Sequence, residues 1–166
     1  RGEAFTSMTR NSLAITGESR LSQELLELSR EAGLDAVLIS DLAELTPATP
    51  VVIETSTSGV EKKKSILQRL DLALPAPAVI ITSCLGFATT LMASWTAKPE
   101  RIVGFATFYP FKDRKVIELT AGIRTEESAI RSAEQLFKSI GKETVRVKDT
   151  PGLTFPRILS LIINEA

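Results

Sequence analysis

Residues 13–39 read LAITGESRLSQELLELSREAGLDAVLI, and the order of patterns in this stretch decides the architecture. Leu13-Ala14-Ile15-Thr16 is a short apolar run that ends at Gly17, as a buried strand does. From Arg20 to Ala32 the apolar positions Leu21, Leu25, Leu28 and Ala32 return at helical spacing, and Gly33 is a natural stop. Ala36-Val37-Leu38-Ile39 is a second strand-like run. Strand, helix, strand within so few residues predicts a parallel crossover unit.

The alternation continues outward. A polar passage from Asp41 to Pro50 leads to Val51-Val52-Ile53-Glu54, a third strand. Lys62-Lys63-Lys64 opens a helix that continues through Ile66, Leu67 and Leu70. Pro75 and Pro77 deliver the chain into Ala78–Thr82, and a helix over about Ala88 to Trp95 precedes the run Arg101–Phe105. Lys115–Leu119 reads as a strand with Glu118 near its end. Glu126–Ile140 is a patterned helix, with Thr125 as N-cap and Gly141 as stop. Thr144–Val147 closes the sheet and Phe155–Ile163 begins a last helix. The pattern predicts an α/β fold: a doubly wound, mainly parallel sheet with helices on both faces, in one domain over residues 1–166.

Composition narrows the chemistry. The 20 basic and 20 acidic side chains cancel, so charge makes no case for nucleic acid or an anionic membrane as partner. No run reaches the ~18 apolar residues of a membrane span, and the start at Arg1 reads as that of a fragment without a signal core. The single cysteine, Cys84, cannot pair internally and points to a cytoplasmic protein. The absence of histidine is the most useful count: it removes histidine general bases, Ser-His-Asp triads and histidine-ligated metals, and no metal site is expected.

Several blocks fall in a fixed order from Pro50 onward. They are Val52-Ile53-Glu54, the lysine-rich helix start, Ile80–Ser83, Lys98–Arg101 with Gly104–Pro110, Val116-Ile117-Glu118, Gly141-Lys142, Val147–Gly152, Arg157-Ile158-Leu159 and Asn164-Glu165-Ala166. In order and spacing they resemble the NAD-binding domain of the 3-hydroxyacyl-CoA dehydrogenases. The resemblance implies a Rossmann-like fold, NAD as cofactor and a role in fatty-acid metabolism. It also implies a helical C-terminal domain, absent here, as partner, with a homo-oligomer as a further candidate. The last helix, about 153–166, would lead toward that domain.

Residue by residue, the resemblance carries less. The family's catalytic histidine falls on Ala106, the serine that holds the substrate oxygen on Leu85, and the asparagine after the Pro-Gly pair on Pro156. Proline has neither an amide side chain nor a backbone donor. The glutamate that orients the histidine is retained as Glu118, and a lysine near the nucleotide as Lys63, while the acidic residue before it falls on Ser58. The G-x-G-x-x-G turn falls on Gly17-Glu18-Ser19-Arg20-Leu21-Ser22, which keeps one glycine. Asp41 is the candidate for the ribose hydroxyls, one position late. The resemblance therefore implies a degenerate oxidoreductase, with Glu118, Gly17, Asp41 and Lys63 as its remaining site residues. Two alternatives stay open: a non-catalytic nucleotide- or CoA-binding docking module, and an active half completed by a partner domain.

Each of these residues also has a plain reading. Glu118 reads first as a solvated or salt-bridged strand-end glutamate, Gly17 equally as a strand terminator, and the lysine run first as a solvated helix face. Cys84 reads as a small buried hydrophobe, and Phe87 and Trp95 as core or contact residues.

Overall fold

In a computed structural model, which describes residues 13–164, seven strands form one sheet. The strands are β1 (Leu13–Thr16), β2 (Ala36–Ile39), β3 (Val51–Glu54), β4 (Val79–Ser83), β5 (Ile102–Ala106), β6 (Val116–Ala121) and β7 (Glu143–Arg146). The helices are α1 (Arg20–Glu31), α2 (Val60–Ala73), α3 (Thr89–Ser94), α4 (Glu127–Ser139) and α5 (Thr154–Asn164). The sheet order is β2-β1-β3-β4-β5-β6-β7; β5 and β6 pair antiparallel, and every other neighbouring pair is parallel.

Burial on both sides explains why the strands read as unbroken apolar runs. Leu13, Ile15, Val51, Ile53, Val79, Ile81, Val103 and Phe105 join one core with Leu25 of α1 and Ile130, Ala133 and Phe137 of α4. Their strand neighbours Ala14, Val52, Ile80 and Ile102 point the other way, into a second core with Leu67 and Leu70 of α2 and Met92 of α3. At ~1.5–3 kcal/mol for each fully buried large aliphatic side chain, these two layers fix which helix lies on which face. The doubly wound, Rossmann-like arrangement expected from the sequence is the one observed.

The topology also places a crevice. β1 is flanked by β2 on one side and β3 on the other, so the chain reverses its direction of travel across the sheet at β1. The loops leaving the C-terminal ends of β1 and β3 diverge there, and open sheets of this kind bind ligands at such a point.

Three local expectations are corrected. Thr125 does not cap α4: the N-cap is Glu126, without a side-chain bond. The Thr125 hydroxyl donates instead to the Ile102 carbonyl at 2.7 Å and accepts the Gly122 N–H at 2.8 Å. A long-range strand contact therefore outcompetes the local cap. Glu118 is not near a strand end but third of six residues in β6. Arg101 lies before its strand, in a short 3-10 turn (Pro99–Arg101), where its guanidinium is buried against Asp71 and the carbonyls of Leu74 and Pro75. The block Asn164-Glu165-Ala166 lies partly outside the described residues.

Candidate functional site

The cleft at the switch point has a volume of about 990 Å³ and includes Gly17–Arg20, Ser40–Leu42, Thr55–Ser58, Lys62 and Arg69 in its lining. Gly17 sets its floor. Its φ of +127° is open to glycine, and a Cβ there would lie 2.1 Å from Thr55 Oγ1. The chain can leave β1 this close to β3 only without a side chain.

The two missing glycines have a structural explanation. Ser19 is the N-cap of α1, in extended backbone, and its hydroxyl accepts the Ser22 N–H at 3.3 Å. Ser22 is fully buried and its hydroxyl lies 2.7 Å from Thr55 Oγ1. Thr55 sends its own proton to the Thr16 carbonyl, at 3.2 Å, so Ser22 is the donor of that pair. A hydroxyl chain thus stitches the first turn of α1 to the end of β3, where bare backbone was expected. The polar run Thr55-Ser56-Thr57-Ser58 directly after a buried strand was the sequence signal for it.

Charged groups around the cleft are mixed in sign. Arg20 lies 5.4 Å from the centroid of the Tyr109 ring, and its Nη1 donates to the Tyr109 hydroxyl at 3.4 Å. That contact ties α1 to the loop after β5. Asp41 lines the cleft, caps the short turn Leu42–Glu44 by accepting the Ala43 N–H at 3.0 Å, and lies 3.8 Å from Arg69.

Lys63 is placed differently from its neighbours in the lysine run. It is buried, and its ammonium donates to Glu54 and, at 2.7 Å, to the Ser56 carbonyl. Glu54 also accepts the Thr82 hydroxyl at 2.7 Å and the Ser56 N–H at 2.8 Å. Burial pulls the Lys63 ammonium below its ordinary pKa, against the opposing pull of Glu54. The pair clamps the loop that walls the cleft, whereas the lysine in the cleft lining is Lys62.

A second cavity, of about 450 Å³, opens between the ends of β5 and β6. Its lining includes Ala106, Thr107, Phe108, Glu118 and Pro156. Ala106 pairs with Glu118 across the two strands. Glu118 accepts the N–H of Thr154, at the start of α5, at 3.0 Å. The Gly152 N–H donates to the Cys84 carbonyl at 2.8 Å, and Cys84 N–H to the Phe105 carbonyl at 3.0 Å. The segments carrying Leu85, Ala106 and Pro156 are thereby laced together, although none of the three side chains can donate or accept a proton. Cys84 is buried beside them, its thiol on the Phe105 carbonyl, and burial pushes its pKa up to about 12. It is no thiolate at neutral pH. Phe87 and Trp95 pack edge to face, 5.6 Å apart, against the α2–α3 core.

Residues 6–150 match the family model described as 3-hydroxyacyl-CoA dehydrogenase, NAD binding domain. The chain belongs to that family. It is 31% identical, over 70% of its length, to a 3-hydroxybutyryl-CoA dehydrogenase of Clostridioides difficile, of which it covers 41%. It is 30% identical, over 86% of its length, to an L-carnitine dehydrogenase of Streptomyces griseus, of which it covers 43%. Among solved structures, an (S)-3-hydroxybutyryl-CoA dehydrogenase of Ralstonia eutropha superposes with a TM-score of 0.83 at 23% identity, over 95% of this chain and 70% of that one. This last match shows the fold. The chain spans less than half the length of the curated relatives it matches. The dehydrogenase NAD-binding domain expected from the sequence blocks is thus the family found.

Proposed function

We propose that this 3-hydroxyacyl-CoA dehydrogenase-type domain holds NAD in the switch-point cleft and is catalytically silent, or nearly so. The residues present fit the cofactor. Gly17 keeps the β1–α1 turn bare, the twelve-residue helix α1 points its N-terminus at the cleft, and Arg20 and Lys62 add positive charge. Gly17 and the first turn of α1 would hold the pyrophosphate, and Asp41 the ribose hydroxyls. Glu54 and Lys63 would act on the nucleotide indirectly, by holding Ser56 in the cleft wall. NAD, when bound, supplies the hydride acceptor.

The observation that carries the silent reading is the Ala106–Glu118 pair. A hydride can leave a hydroxyl-bearing carbon only as the hydroxyl proton is taken up, and a methyl group stands where the family's base would be. Loss of a general base costs a factor of ~10²–10⁴ in rate. Loss of the oxygen-holding donors at Leu85 and Pro156 removes further stabilisation of the reacting oxygen, though such losses do not multiply. Glu118 keeps its place by accepting the Thr154 N–H, which is reason enough to retain it without an imidazole.

A helical C-terminal domain as partner is supported by α5. Ile158, Leu161, Ile162 and Ile163 are about half to two-thirds exposed on it, a poor state for aliphatic side chains in water. The assignment to fatty-acid metabolism belongs to the same reading and rests on the family alone, and the assignment to the cytoplasm rests on the single Cys84. The test is NADH-dependent reduction of acetoacetyl-CoA by the purified full-length protein. No more than trace turnover is expected; turnover at ordinary dehydrogenase rates would overturn the proposal.

A further inference from the structure

Arg20 is the first residue of α1 and lines the switch-point cleft. Among the described residues it forms no ion pair, whereas Arg69, in the same lining, lies 3.8 Å from Asp41. The partner of Arg20 is the neutral Tyr109. Nη1 donates to the phenol oxygen at 3.4 Å, and the guanidinium carbon lies 5.4 Å from the ring centroid. A guanidinium over an aromatic face is attracted to it and keeps its full positive charge. One N–H goes to the phenol, and the others stay open to an anion.

Tyr109 can hold an arginine because its loop is fixed to the same helix. Arg20, Glu24 and Glu27 follow one another at helical spacing, so they share one face of α1. Glu24 accepts the N–H groups of Phe111 and Lys112, and Glu27 lies 2.6 Å from the Lys112 ammonium. The Lys142 ammonium donates to the carbonyls of Phe111, Lys112 and Arg114 in the same loop. Phe111, two residues after Tyr109, is fully buried. The tyrosine is thus a fixed post for a long and otherwise flexible side chain. It is half exposed and is not itself part of the cleft lining.

The cleft needs such a cation. Ser19 and Ser22 stand where bare glycines would let a pyrophosphate approach the backbone, and Glu18 brings a carboxylate to the same wall. We infer that Tyr109 positions Arg20 for the pyrophosphate of the dinucleotide, as a side-chain substitute for the two missing glycines. A guanidinium fork matches two phosphate oxygens at once, and holding it ready removes ordering that the contact otherwise costs. The inference rests on the reading that NAD occupies the switch-point cleft.

The test is calorimetric titration of the purified full-length protein with NADH and with ADP-ribose, which keeps the pyrophosphate and lacks the nicotinamide. R20M is expected to weaken both ligands at least tenfold, the loss of a charged hydrogen-bond donor. Y109L should weaken both in the same direction by a smaller factor. Y109F keeps the ring without the hydroxyl and should fall between Y109L and the parent; if Y109L does not fold, Y109F carries the comparison. R20M/Y109L should bind as R20M does, because Tyr109 acts only through Arg20. Added salt should weaken NADH binding less steeply in R20M, which has lost one cation from the cleft. A parent that binds NADH, with R20M or both tyrosine variants at parental affinity, overturns this inference and leaves the nucleotide reading standing. Losses that add in R20M/Y109L also overturn it, since a merely structural tyrosine gives that result. So do losses confined to NADH, which put Arg20 on the nicotinamide. A parent that binds neither ligand removes both readings together.

Discussion

Ala106 stands directly opposite Glu118 in the antiparallel pair of β5 and β6, and both line one cavity. Residues paired in this way have Cβ atoms roughly 5 Å apart on one face of the sheet. A side chain added at position 106 would therefore meet a carboxylate already held by the Thr154 N–H. A106H is predicted to raise NADH-dependent reduction of acetoacetyl-CoA at least tenfold over the parent. It should stay far below an intact site, because Leu85 and Pro156 still offer no donor. E118Q should remove the gain in the A106H background and change nothing in the parent. Steady-state rates of the four proteins check this.

Gly17 is predicted to be intolerant of any side chain. G17A forces a left-handed-region backbone on alanine and drives its Cβ into Thr55 Oγ1. The strain alone costs ~1–3 kcal/mol, and moving Thr55 breaks the hydroxyl chain to Ser22 and Thr16. Urea unfolding should show a lower midpoint. G17A/T55G should recover only part of it, since the clash is relieved and the φ is not.

The buried Lys63–Glu54 pair predicts an asymmetry between single and double variants. K63M leaves the Glu54 carboxylate buried without its cation, and breaking such a pair typically costs ~3–5 kcal/mol. E54Q/K63M removes both charges and should lose less than K63M alone. A direct nucleotide role for Lys63 would instead leave the stability of K63M near that of the parent, while NADH binding fell.

Acid stability follows from the surface cluster on α4 and β7. Arg146 bonds both Glu127 and Glu134, and with Arg131 it depresses the Glu127 carboxyl to about 2. Glu134 is lowered as well, first by Arg146. A carboxyl depressed in the folded state adds stability that is present above its unfolded value, near 4.5, and is lost as pH falls through its folded value. R146M is therefore expected to melt slightly below the parent at pH 7, with the gap closing between about pH 4.5 and 2. These side chains are exposed, so the gap should be small and should shrink with salt. Thermal melts across that range measure it.

Much of the fold was legible because the strands are buried on both faces. β1, β2 and β3 matched their apolar runs residue for residue, β4, β5 and β6 began one residue later than read, and β7 one residue earlier. What escaped the sequence was long-range partnering of small polar residues. Nothing near Thr125 shows that its hydroxyl belongs to Ile102. Nothing near Asp149 shows that its carboxylate caps α3 by accepting the N–H groups of Thr89 and Thr90, each at 2.7 Å. In the site, Gly17 and Asp41 both line the switch-point cleft. Lys63 was hidden in a run of three lysines, and only packing tells the buried one from exposed Lys62 and half-buried Lys64.

One experiment addresses the central claim, that a nucleotide is held while no proton acceptor stands beside Ala106. NADH is titrated calorimetrically into the purified full-length protein, and acetoacetyl-CoA is then added to the saturated sample while NADH absorbance is followed. Saturable NADH heat followed by a flat absorbance trace is the predicted result. Rapid NADH oxidation, or no NADH binding at all, would contradict it.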